Sequence, residues 1–536
     1  MRMKKLFLSL ALFLLAVGTV EAQNPQVKTA DGILEGVNES GVKVFKGVPF
    51  AAPPVGDLRW KAPQPVQKWD GVREAKEFGP NPMQQAVFGD MNFGTKEFSE
   101  DCLYLNIWTP AKTMDEKLPA LIYFNGGGLM AGSGSEPRYA RWSMARKGIV
   151  SITANYREGI FGFFAHPELS KETSYKGSGN YGFLDQVAAI AWVKNNIAAF
   201  GGDPDRITIV GESAGSMSVS ILMASPLCQG LFAQAMGSSG AVLNFNKIST
   251  LKEAEAAGEE KAKQIGCKSL KELRAMPAEE LMEKAAVTSV PIYNVDNYFM
   301  PEQPVDIYAK GKQAQVPLLV GGNSCEMVPM AILAGKPATI DNLKAGARAT
   351  FGDNVDKLFE MYGLLTDADV LSQKGVDLAS DIFLAYSTWK WGHMHKLTGN
   401  SPVYRYYYSH PRPDMIDKTK VAGLAGGVQE KKAGEPEAPK MPAGAVHSAD
   451  IEYAMGTLST NLVFDWQPED YWVSDIFQNY YVNFIKTGNP NGLGLPEWTP
   501  TNGQDVAPVM HIDVNTFQKA DKQMEDRYEY IDSLFW

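Results

Sequence analysis

The order of apolar runs from about residue 103 onward constrains the fold of this chain most strongly. Four runs of strand length follow one another there: LYLNIW, ALIYFN, IVSITANY and RITIVG. Between the last two lies LDQVAAIAWVKNNIAAF, in which apolar residues recur at helical spacing. Strands that alternate with helices predict a mostly parallel sheet covered by helices on both faces. We therefore expect an α/β protein built on one large sheet.

The remaining segments add shorter elements to this frame. GILEGV and VKVFKGV predict early strands, residues 79–99 predict a long loop, and PLLVGG and PVYRYYY predict later strands. Residues 251–287 are rich in Ala, Glu and Lys and predict surface helices. Residues 421–446 are rich in Gly, Ala, Pro and charge without periodicity, which predicts a mobile loop and a candidate lid. Because no linker or repeat divides the chain, residues 23–536 are expected to form a single domain.

The N-terminus, MRMKKLFLSLALFLLAVGTVEAQ, has the three parts of a signal peptide. Its first residues are basic, an apolar run follows, and Val20-Glu21-Ala22 supplies small residues at the cleavage position. A core helix or a membrane anchor is the alternative, but the run is short for a membrane span. Residues 1–22 are therefore predicted to be cleaved, with export to the periplasm or the medium. No later run is apolar enough to span a bilayer, so no stable membrane anchor is expected.

Charge and cysteine content limit the classes of partner and cross-link. The formal net charge of −10 and the lack of a Lys/Arg stripe argue against nucleic acid as a partner. Cys102, Cys228, Cys267 and Cys325 allow three disulfide pairings in an exported protein. Free thiols are equally compatible, because a chain of this length does not need disulfides to fold. Nothing in the sequence indicates an oligomeric state.

A glycine-rich loop, NGGGLMAGSGS, follows the strand ALIYFN. Its Gly126-x-Gly128-x-x-Ala131 matches the dinucleotide-binding fingerprint. Consecutive glycines are also typical of the loop that aims backbone N–H groups at the reacting carbonyl in lipases and esterases. Two observations argue against a dinucleotide site. A dinucleotide loop leads directly into a helix, whereas Gly132, Gly134 and Pro137 follow here and disfavour one, and the next strand does not end near an acid that could bind the ribose. No nucleotide cofactor is therefore predicted.

Gly211-Glu212-Ser213-Ala214-Gly215 lies between the strand RITIVG and a predicted helix. G-x-S-x-G at a strand-to-helix turn is the nucleophile elbow, in which flanking glycines permit a sharp turn that exposes the serine. Such a serine needs a base, and the base needs a carboxylate to fix its tautomer. In elbow enzymes these residues follow in the order Ser, Asp or Glu, His.

Among the histidines far downstream of Ser213, His447 is the preferred base. It follows the predicted mobile loop, and its small neighbours in GAVHSADIEYAMG leave the ring accessible. His393 and His395 lie two residues apart in a helix-like stretch, which places them on different faces and makes a metal pair improbable. His511 alternates like a late strand. These other histidines are therefore expected to be structural, and no metal site is predicted.

The acid should stand at a strand end between Ser213 and His447. Glu326 comes just after the apolar run PLLVGG and is the first candidate. Pattern alone gives it only a modest preference over Asp296 and Asp381.

Beyond these motifs, long segments resemble one family. FGGDPDRITIVGESAG matches the serine signature of type-B carboxylesterases, the cholinesterase-like and para-nitrobenzyl esterase-like members of the α/β-hydrolase fold. EDCLYLN matches their second signature, and FKGVPFAAPPVGDLRW, NYREGIFGFF, GNYGFLDQ and NFIKTGNPN are also similar. The resemblance to a bacterial exported member implies a large, mostly parallel sheet flanked by helices, with long insertions around an active-site gorge.

The resemblance also implies which residues carry the chemistry. It assigns a catalytic triad and an oxyanion hole made of backbone N–H groups: Ser213, Glu326 and His447 for the triad, and Gly127, Gly128 and Ala214 for the hole. The start of a helix at Ala214 fits this role, because a helix N-terminus favours an anion.

Supporting roles follow from the same resemblance. Glu212 is expected to stabilise the imidazolium, and Ser239 and Asp450 to support the acid and the base. Arg59 and Glu100 match a structural salt bridge. For each of these residues, ordinary packing or solvation is the alternative.

The chain also departs from the family pattern. The family pairs the Cys of EDCLYLN with an upstream Cys that is absent here, and Cys267 lacks its usual partner, which leaves Cys228 as the candidate. Cys325 replaces an Asp beside the acid and is predicted to be a buried, inert thiol. Asn125 stands where the family often has His, and it is expected to brace the glycine loop. The Trp that holds a quaternary ammonium in cholinesterases is not evident, which argues against choline esters.

Together these residues predict a serine carboxylic-ester hydrolase that forms an acyl-enzyme and needs no cofactor. The expected partner is a small-molecule ester, uncharged and apolar or aromatic. The candidates for an apolar gorge lining, for each of which packing in the core is the alternative, are Met83, Met91, Phe93, Leu129, Met130, Met217, Tyr298 and Phe299. Hydrolysis of carbamates or amides is an alternative. A non-catalytic adhesion module of this fold is a second alternative, disfavoured because such modules lack the catalytic serine.

Overall fold

The computed structural model describes residues 24–285, 293–424, 427–431, 441–503 and 506–536. The predicted signal peptide lies outside the described residues. Within them, eleven strands form a central sheet: β1 Val37–Glu39, β2 Val42–Pro49, β3 Tyr104–Thr109, β4 Leu118–Phe124, β5 Val150–Ala154, β6 Gly202–Glu212, β7 Gln234–Ser238, β8 Leu318–Asn323, β9 Val403–Tyr408, β10 Pro508–Ile512 and β11 Phe517–Ala520.

The sheet has the spatial order β11-β10-β9-β8-β7-β6-β4-β5-β3-β2-β1. Strands β4 to β10 run parallel to one another, whereas β11 at one edge and β1, β2 and β3 at the other pair antiparallel. The prediction of a large, mostly parallel sheet is confirmed. The antiparallel direction of β3 was not predicted, because an apolar run does not encode strand direction.

Strand β4 shows how the sequence places a core on each face of the sheet. Successive side chains in a strand point to opposite faces. Ile122 and Phe124 belong to the apolar core on one face, and Leu121 and Tyr123 belong to the core on the other. Since β4 lies in the middle of the sheet, its residues are apolar on both sides and read as one continuous apolar run.

Helices cover both faces. Those at Tyr181–Asn196 and Ala214–Ala224 pack on the face of Ile122, and those at Asp450–Met455 and Pro468–Thr487 pack on the opposite face. The other α-helices in the described ranges are Ser143–Arg146, Gly159–Gly162, Pro167–Glu172, Leu251–Ile265, Leu270–Ala275, Ala278–Ala285, Pro304–Ala309, Met330–Leu333, Ile340–Phe351, Val355–Tyr362, Asp367–Val370, Gln373–Ser380, Tyr386–Thr398 and Lys522–Phe535. Three of these confirm the predicted helices within residues 251–287.

Short elements complete the described fold. A small sheet joins Gln26–Lys28, Ile33–Glu35 and Val72–Glu74, and two-stranded pairs join Asn81–Pro82 with Phe98–Ser99, Ser249–Thr250 with Asn294–Val295, and Lys420–Ala422 with Val428–Glu430. One π-helical turn spans Asp381–Ala385, and 3-10 turns span Gly56–Leu58, Met114–Glu116, Ile197–Phe200, Pro226–Cys228, Gly352–Asn354 and Leu458–Thr460. None of the described helices combines the length and hydrophobicity needed to cross a bilayer.

The segment 421–446 differs in part from the predicted irregular loop. Strands at Lys420–Ala422 and Val428–Glu430 pair antiparallel, and the backbone N–H of Gly427 donates to Asp90 at 2.9 Å. Three-residue strands are too short to produce a recognisable period in the sequence. Residues 425–426 and 432–440 of this segment lie outside the described residues.

The four cysteines all lie in the described ranges, and each is a buried free thiol. The candidate pairing of Cys228 with Cys267 is therefore not formed. Burial raises the pKa of Cys325 to about 11, which agrees with the predicted inert thiol. The predicted salt bridge is present, with Arg59 Nε 2.6 Å from Glu100 Oε1.

Candidate active site

Ser213 lies at the junction of β6 and the helix Ala214–Ala224. Its backbone has φ 56° and ψ −124°, a conformation that is strained for a residue with a side chain. The backbone N–H of Ser213 donates to the carbonyl of Ser238 at 2.8 Å, and its own carbonyl accepts from Met217 at 2.9 Å. The surrounding strand and helix thus hold the strained turn that presents the serine side chain.

The glycines on either side of Ser213 are required by close backbone contacts. A Cβ on Gly211 would lie 2.3 Å from the carbonyl carbon of Gly215. A Cβ on Gly215 would lie 2.1 Å from the carbonyl oxygen of Phe124, at the end of β4. The turn around Ser213 packs so closely against the neighbouring strand that only glycine fits on either side of the serine, which explains the G-x-S-x-G pattern.

Ser213, His447 and Glu326 meet in one hydrogen-bonded line. Nε2 of His447 is 3.1 Å from Oγ of Ser213, and Nδ1 of His447 is 2.6 Å from Oε2 of Glu326. The other carboxylate oxygen of Glu326 accepts from the backbone N–H of Asn323 at 2.6 Å and from the hydroxyl of Ser239 at 2.5 Å. Both oxygens of the carboxylate are thus hydrogen-bonded, which fixes its orientation toward the imidazole.

The two alternative acids are engaged elsewhere. Asp296 accepts backbone N–H groups from its own turn, including that of Met300 at 2.9 Å. Asp381 accepts from the hydroxyls of Tyr362 and Tyr528. The geometry agrees with the preference for Glu326.

Carboxylates dominate the electrostatics around His447. Burial disfavours its charged form, but Glu212, Glu326 and Asp450 outweigh burial and raise the pKa of His447 to about 9. Oε1 of Glu212 is 3.5 Å from Nε2 of His447 and accepts from the hydroxyl of Ser448 at 2.5 Å. Burial raises the pKa of Glu212 to about 7. The neighbouring carboxylates therefore favour the protonated form of His447.

The glycine loop approaches the serine so closely that side chains are excluded. A Cβ on Gly126 would lie 2.8 Å from Oε2 of Glu212, and one on Gly127 would lie 1.8 Å from the carbonyl oxygen of Ala131. Gly127 and Gly128 also have positive φ, at 111° and 66°. No described residue accepts a hydrogen bond from either backbone N–H.

Ala214 supplies a third backbone donor. It is the first residue of its helix, where backbone N–H groups have no intrahelical partner and favour a negative charge. Together with Gly127 and Gly128 it lines the same cavity as Ser213. The three predicted oxyanion donors are thus brought to one place.

Asn125 braces the glycine loop, as predicted. Its side-chain Nδ2 donates to Oε1 of Glu158 at 3.0 Å and to the carbonyl of Gly126 at 3.1 Å. Its own carbonyl accepts from the hydroxyl of Tyr156 at 2.8 Å. The side chain is buried and lies behind the loop rather than in the cavity lining.

Asp450 is linked to Glu326 through Asn323. It accepts hydrogen bonds from the hydroxyls of Ser238 and Tyr406 and from the side-chain amide of Asn323, and no hydrogen bond joins it to His447. Asp450 therefore acts on the base only through its charge and through the network that holds Glu326. The sequence reasoning did not identify Ser238 or Asn323, since their roles depend on strand ends that meet only in the folded sheet.

The cavity at Ser213 has a volume of about 240 Å³. Its apolar lining is made of Phe88, Met91, Met130, Met217, Phe383, Leu384, Leu424 and Ile451. Three of the predicted gorge residues are among these. The prediction was wrong for the other five: Phe299 and Leu129 pack in the core, Tyr298 stacks on Tyr175, Phe93 contacts Phe98, and Met83 lines separate pockets.

The described residues contain no cluster of three or more His, Cys, Asp or Glu side chains that could hold a metal ion. The polar side chains that line the cavity are those of Glu136, Arg138, Tyr139, Glu212, Ser213, His447 and Ser448. This set can perform acyl transfer with proton exchange through one histidine.

The model of the carboxylesterase family matches residues 23–531. The fumonisin B1 esterase of Sphingopyxis macrogoltabida is 40% identical over 388 residues, which cover 68% of this chain and 69% of the relative. The medium-chain fatty acyl-CoA hydrolase precursor of Anas platyrhynchos is 32% identical over 95% of this chain and 91% of its own length.

Solved structures give the same result for the fold. The Geobacillus stearothermophilus carboxylesterase EST55 superposes with a TM-score of 0.78 at 29% identity, covering 95% of this chain and 100% of that protein. A PNB esterase superposes with a TM-score of 0.74 at 27% identity, covering 96% and 100%. The chain therefore belongs to the carboxylesterase family and is a carboxylic-ester hydrolase with the α/β-hydrolase fold.

Proposed function

We propose that ester hydrolysis proceeds by two-step acyl transfer on Ser213. His447 takes the proton of the hydroxyl as Oγ attacks the ester carbonyl, and it then gives that proton to the departing alcohol. Glu326 holds the ring so that Nε2 faces Ser213, and it stabilises the imidazolium. The observation that carries the proposal is the line from Oγ through both ring nitrogens to a buried carboxylate.

The oxyanion forms where three backbone donors converge. Gly127, Gly128 and Ala214 line the cavity at Ser213, and the close backbone contacts of the glycine loop support donors that are oriented before the reaction. Preorganised donors of this kind lower the barrier because no reorganisation is needed as charge develops. In the second step, water activated by His447 attacks the acyl-enzyme, and the acid product leaves.

The substrates proposed are uncharged esters with an apolar or aromatic acyl or alcohol part. The cavity lining supports this, since most of its exposed surface is apolar. The relatives named above are described as hydrolases of different compounds, a fumonisin and a fatty acyl-CoA. Because these relatives are named for different substrates, we propose that the cavity lining, rather than the triad, determines which ester is hydrolysed.

A hydrolysis panel tests both parts of the proposal. The panel contains p-nitrophenyl esters with acyl chains from acetate to dodecanoate, feruloyl and other aromatic esters, choline esters and simple amides. Ser213→Ala should lose about 10⁴-fold or more in kcat/KM on every active substrate. Wild-type rates in that variant would refute the mechanism. Preference for choline esters over neutral esters of equal size would refute the substrate class.

We also propose that the protein is exported and that residues 1–22 are removed. The basic, apolar and small-residue segments of the N-terminus support this. N-terminal sequencing of protein recovered from a bacterial periplasm or medium should start near Gln23. Recovery of the intact N-terminus from the cytoplasm alone would contradict export.

A further inference from the structure

The lining of the active-site cavity includes a buried arginine that the proposed mechanism does not use. Arg138 lines the cavity together with Ser213, and its side chain is 7% exposed. A buried guanidinium is costly unless its donors are satisfied. We therefore asked which of its donors have a hydrogen-bond partner.

Only some of the hydrogen-bond donors of the Arg138 guanidinium have partners among the described residues. Nε donates to Oε1 of Glu136, which forms a buried ion pair. Nη1 is buried and has no hydrogen-bond partner among the described residues. Nη2 also donates to none of the described residues and, unlike Nη1, is not fully buried, so it is the donor that Arg138 can offer to a molecule in the cavity.

Contacts hold both the backbone of Arg138 and the side chain of its partner Glu136. Its carbonyl accepts from the hydroxyl of Thr457 at 2.6 Å, and Glu136 is itself held by the hydroxyl of Tyr139 at 3.2 Å. Tyr139 in turn stacks on Tyr123 of β4 with ring centroids 4.5 Å apart. The donor is thus held by the rigid sheet, which suits recognition better than a mobile surface arginine does.

The charges around Arg138 are already balanced. Glu136 pairs with it, and the nearby Glu452 pairs with Arg412 at 2.6 Å. Glu212 adds a carboxylate to the same cavity lining. A carboxylate on the substrate would therefore enter a site that has no excess positive charge to stabilise it. A neutral oxygen on the substrate would instead gain a charge-assisted hydrogen bond from Arg138.

We propose that Arg138 is a specificity residue, donating a hydrogen bond to an uncharged acceptor oxygen, such as a ketone or second ester carbonyl, on the substrate bound at Ser213. This inference rests on the proposed function and refines it. The favoured substrates are apolar esters that carry one neutral oxygen function away from the scissile bond.

Matched pairs of esters test the inference. One series contains p-nitrophenyl heptanoate and its 5-oxo and 6-oxo analogues, and a second contains butyrate esters of alcohols with and without a ketone. The mono-p-nitrophenyl ester of adipic acid serves as the anionic counterpart. In the wild type, at least one ketone ester should exceed its unsubstituted partner by about 10-fold in kcat/KM, as expected for a hydrogen bond to a charged donor.

Variants separate recognition from folding. Arg138→Met removes the donors but leaves Glu136 as an unpaired buried carboxylate, so it is compared with the double variant that also carries Glu136→Gln. In both, the ketone preference should fall to about 1, while Glu136→Gln alone should keep it. If the double variant retains the wild-type preference, or if the wild type shows no preference for any ketone ester, the inference is overturned.

Two further measurements distinguish recognition of an anion from recognition of a neutral oxygen, and failure of this inference from failure of the proposed function. If the adipate half-ester is preferred over the ketone esters in an Arg138-dependent manner, the arginine recognises an anion and the inference is wrong. Labelling of Ser213 by a fluorophosphonate is measured in parallel. A protein that labels and hydrolyses heptanoate without a ketone preference overturns only the role of Arg138, whereas loss of labelling in the wild type overturns the proposed function.

Discussion

His447 and His410 have closely similar electrostatic surroundings and differ in what their second ring nitrogen contacts. At both histidines burial opposes the charged form, and neighbouring carboxylates outweigh burial and raise the pKa to about 9. Nε2 of His410 is 2.9 Å from Asp470, and its Nδ1 is 3.1 Å from Asp513. His447 has a hydrogen-bonded carboxylate on Nδ1 only, and its Nε2 contacts the hydroxyl of Ser213, with Oε1 of Glu212 3.5 Å away.

The comparison shows that a perturbed pKa does not by itself mark a catalytic base. His410 joins the helix Pro468–Thr487 to the loop after β10, and both of its nitrogens are occupied by ion pairs. His447 keeps one nitrogen for a reacting group, and that nitrogen lines a cavity. The contact of the second nitrogen, more than the charge environment, separates the two roles.

Replacing each histidine should give the largest contrast. We expect His447→Ala to lose about 10⁴-fold or more in kcat/KM, because the serine loses its base. His410→Ala should keep kcat/KM within a few-fold of the wild type when assayed where it is folded. Initial rates with p-nitrophenyl butyrate, on protein checked by circular dichroism, measure this. Equal losses in both variants would remove the distinction.

The carboxylate partners give the next contrast. Glu326→Gln should lower kcat/KM by about 10³–10⁴-fold, since an amide no longer fixes the productive tautomer or stabilises the imidazolium. Asp470→Asn changes the corresponding partner of His410 and should lower stability instead of kcat/KM. Steady-state kinetics and urea denaturation on both variants provide the test, and an active Glu326→Gln enzyme would point to another acid.

A smaller effect concerns stability and pH. In the folded protein the pKa of His410 is about 9, above its usual value of 6.5. Protonated His410 therefore contributes fully to the free energy of unfolding below pH 6.5, and this contribution is lost as the pH rises through 9. His410→Gln should cost about 3 kcal/mol of unfolding free energy near pH 6 and much less near pH 10. Denaturant titrations of both proteins at the two pH values measure this. A difference that does not change with pH would show that His410 is not charged in the fold.

The smallest expected effect is a shift in the pH–rate profile. His447 must be neutral to accept a proton, and the carboxylate of Glu212 raises its pKa, so kcat/KM should increase with pH up to the pKa of His447. Glu212→Gln removes that charge and should move the rising limb to lower pH. His410→Gln should leave the limb unchanged. An unmoved limb in Glu212→Gln would mean that the two groups are not coupled.

The sequence was sufficient for those parts of the molecule that rest on local pattern. The parallel strands have long apolar runs, and the elbow at Ser213 has glycines that backbone contacts require. The glycine loop was separated from a nucleotide site by the absence of a helix after it, and the structure has none until Ser143. These features are encoded within a few neighbouring residues.

Features that depend on distant segments could not be predicted in this way. Three carboxylates were candidates for the acid, because only the fold shows that Glu326 reaches His447. Phe383 and Leu424 line the cavity from a π-helical turn and a short hairpin that have no clear period in the sequence. The carboxylate partners of His410 were not predicted either, because Asp470 and Asp513 lie far from it along the chain.

The most direct test of the central claim is to trap the acyl group on the protein. The enzyme is mixed with p-nitrophenyl acetate, quenched in acid within the first turnover, digested and analysed by mass spectrometry. We predict one acetyl group on the peptide that contains Ser213, and none on that peptide in His447→Ala quenched at the same time. An acetyl group on another residue in the wild type, or equal labelling of Ser213 without His447, would contradict the account.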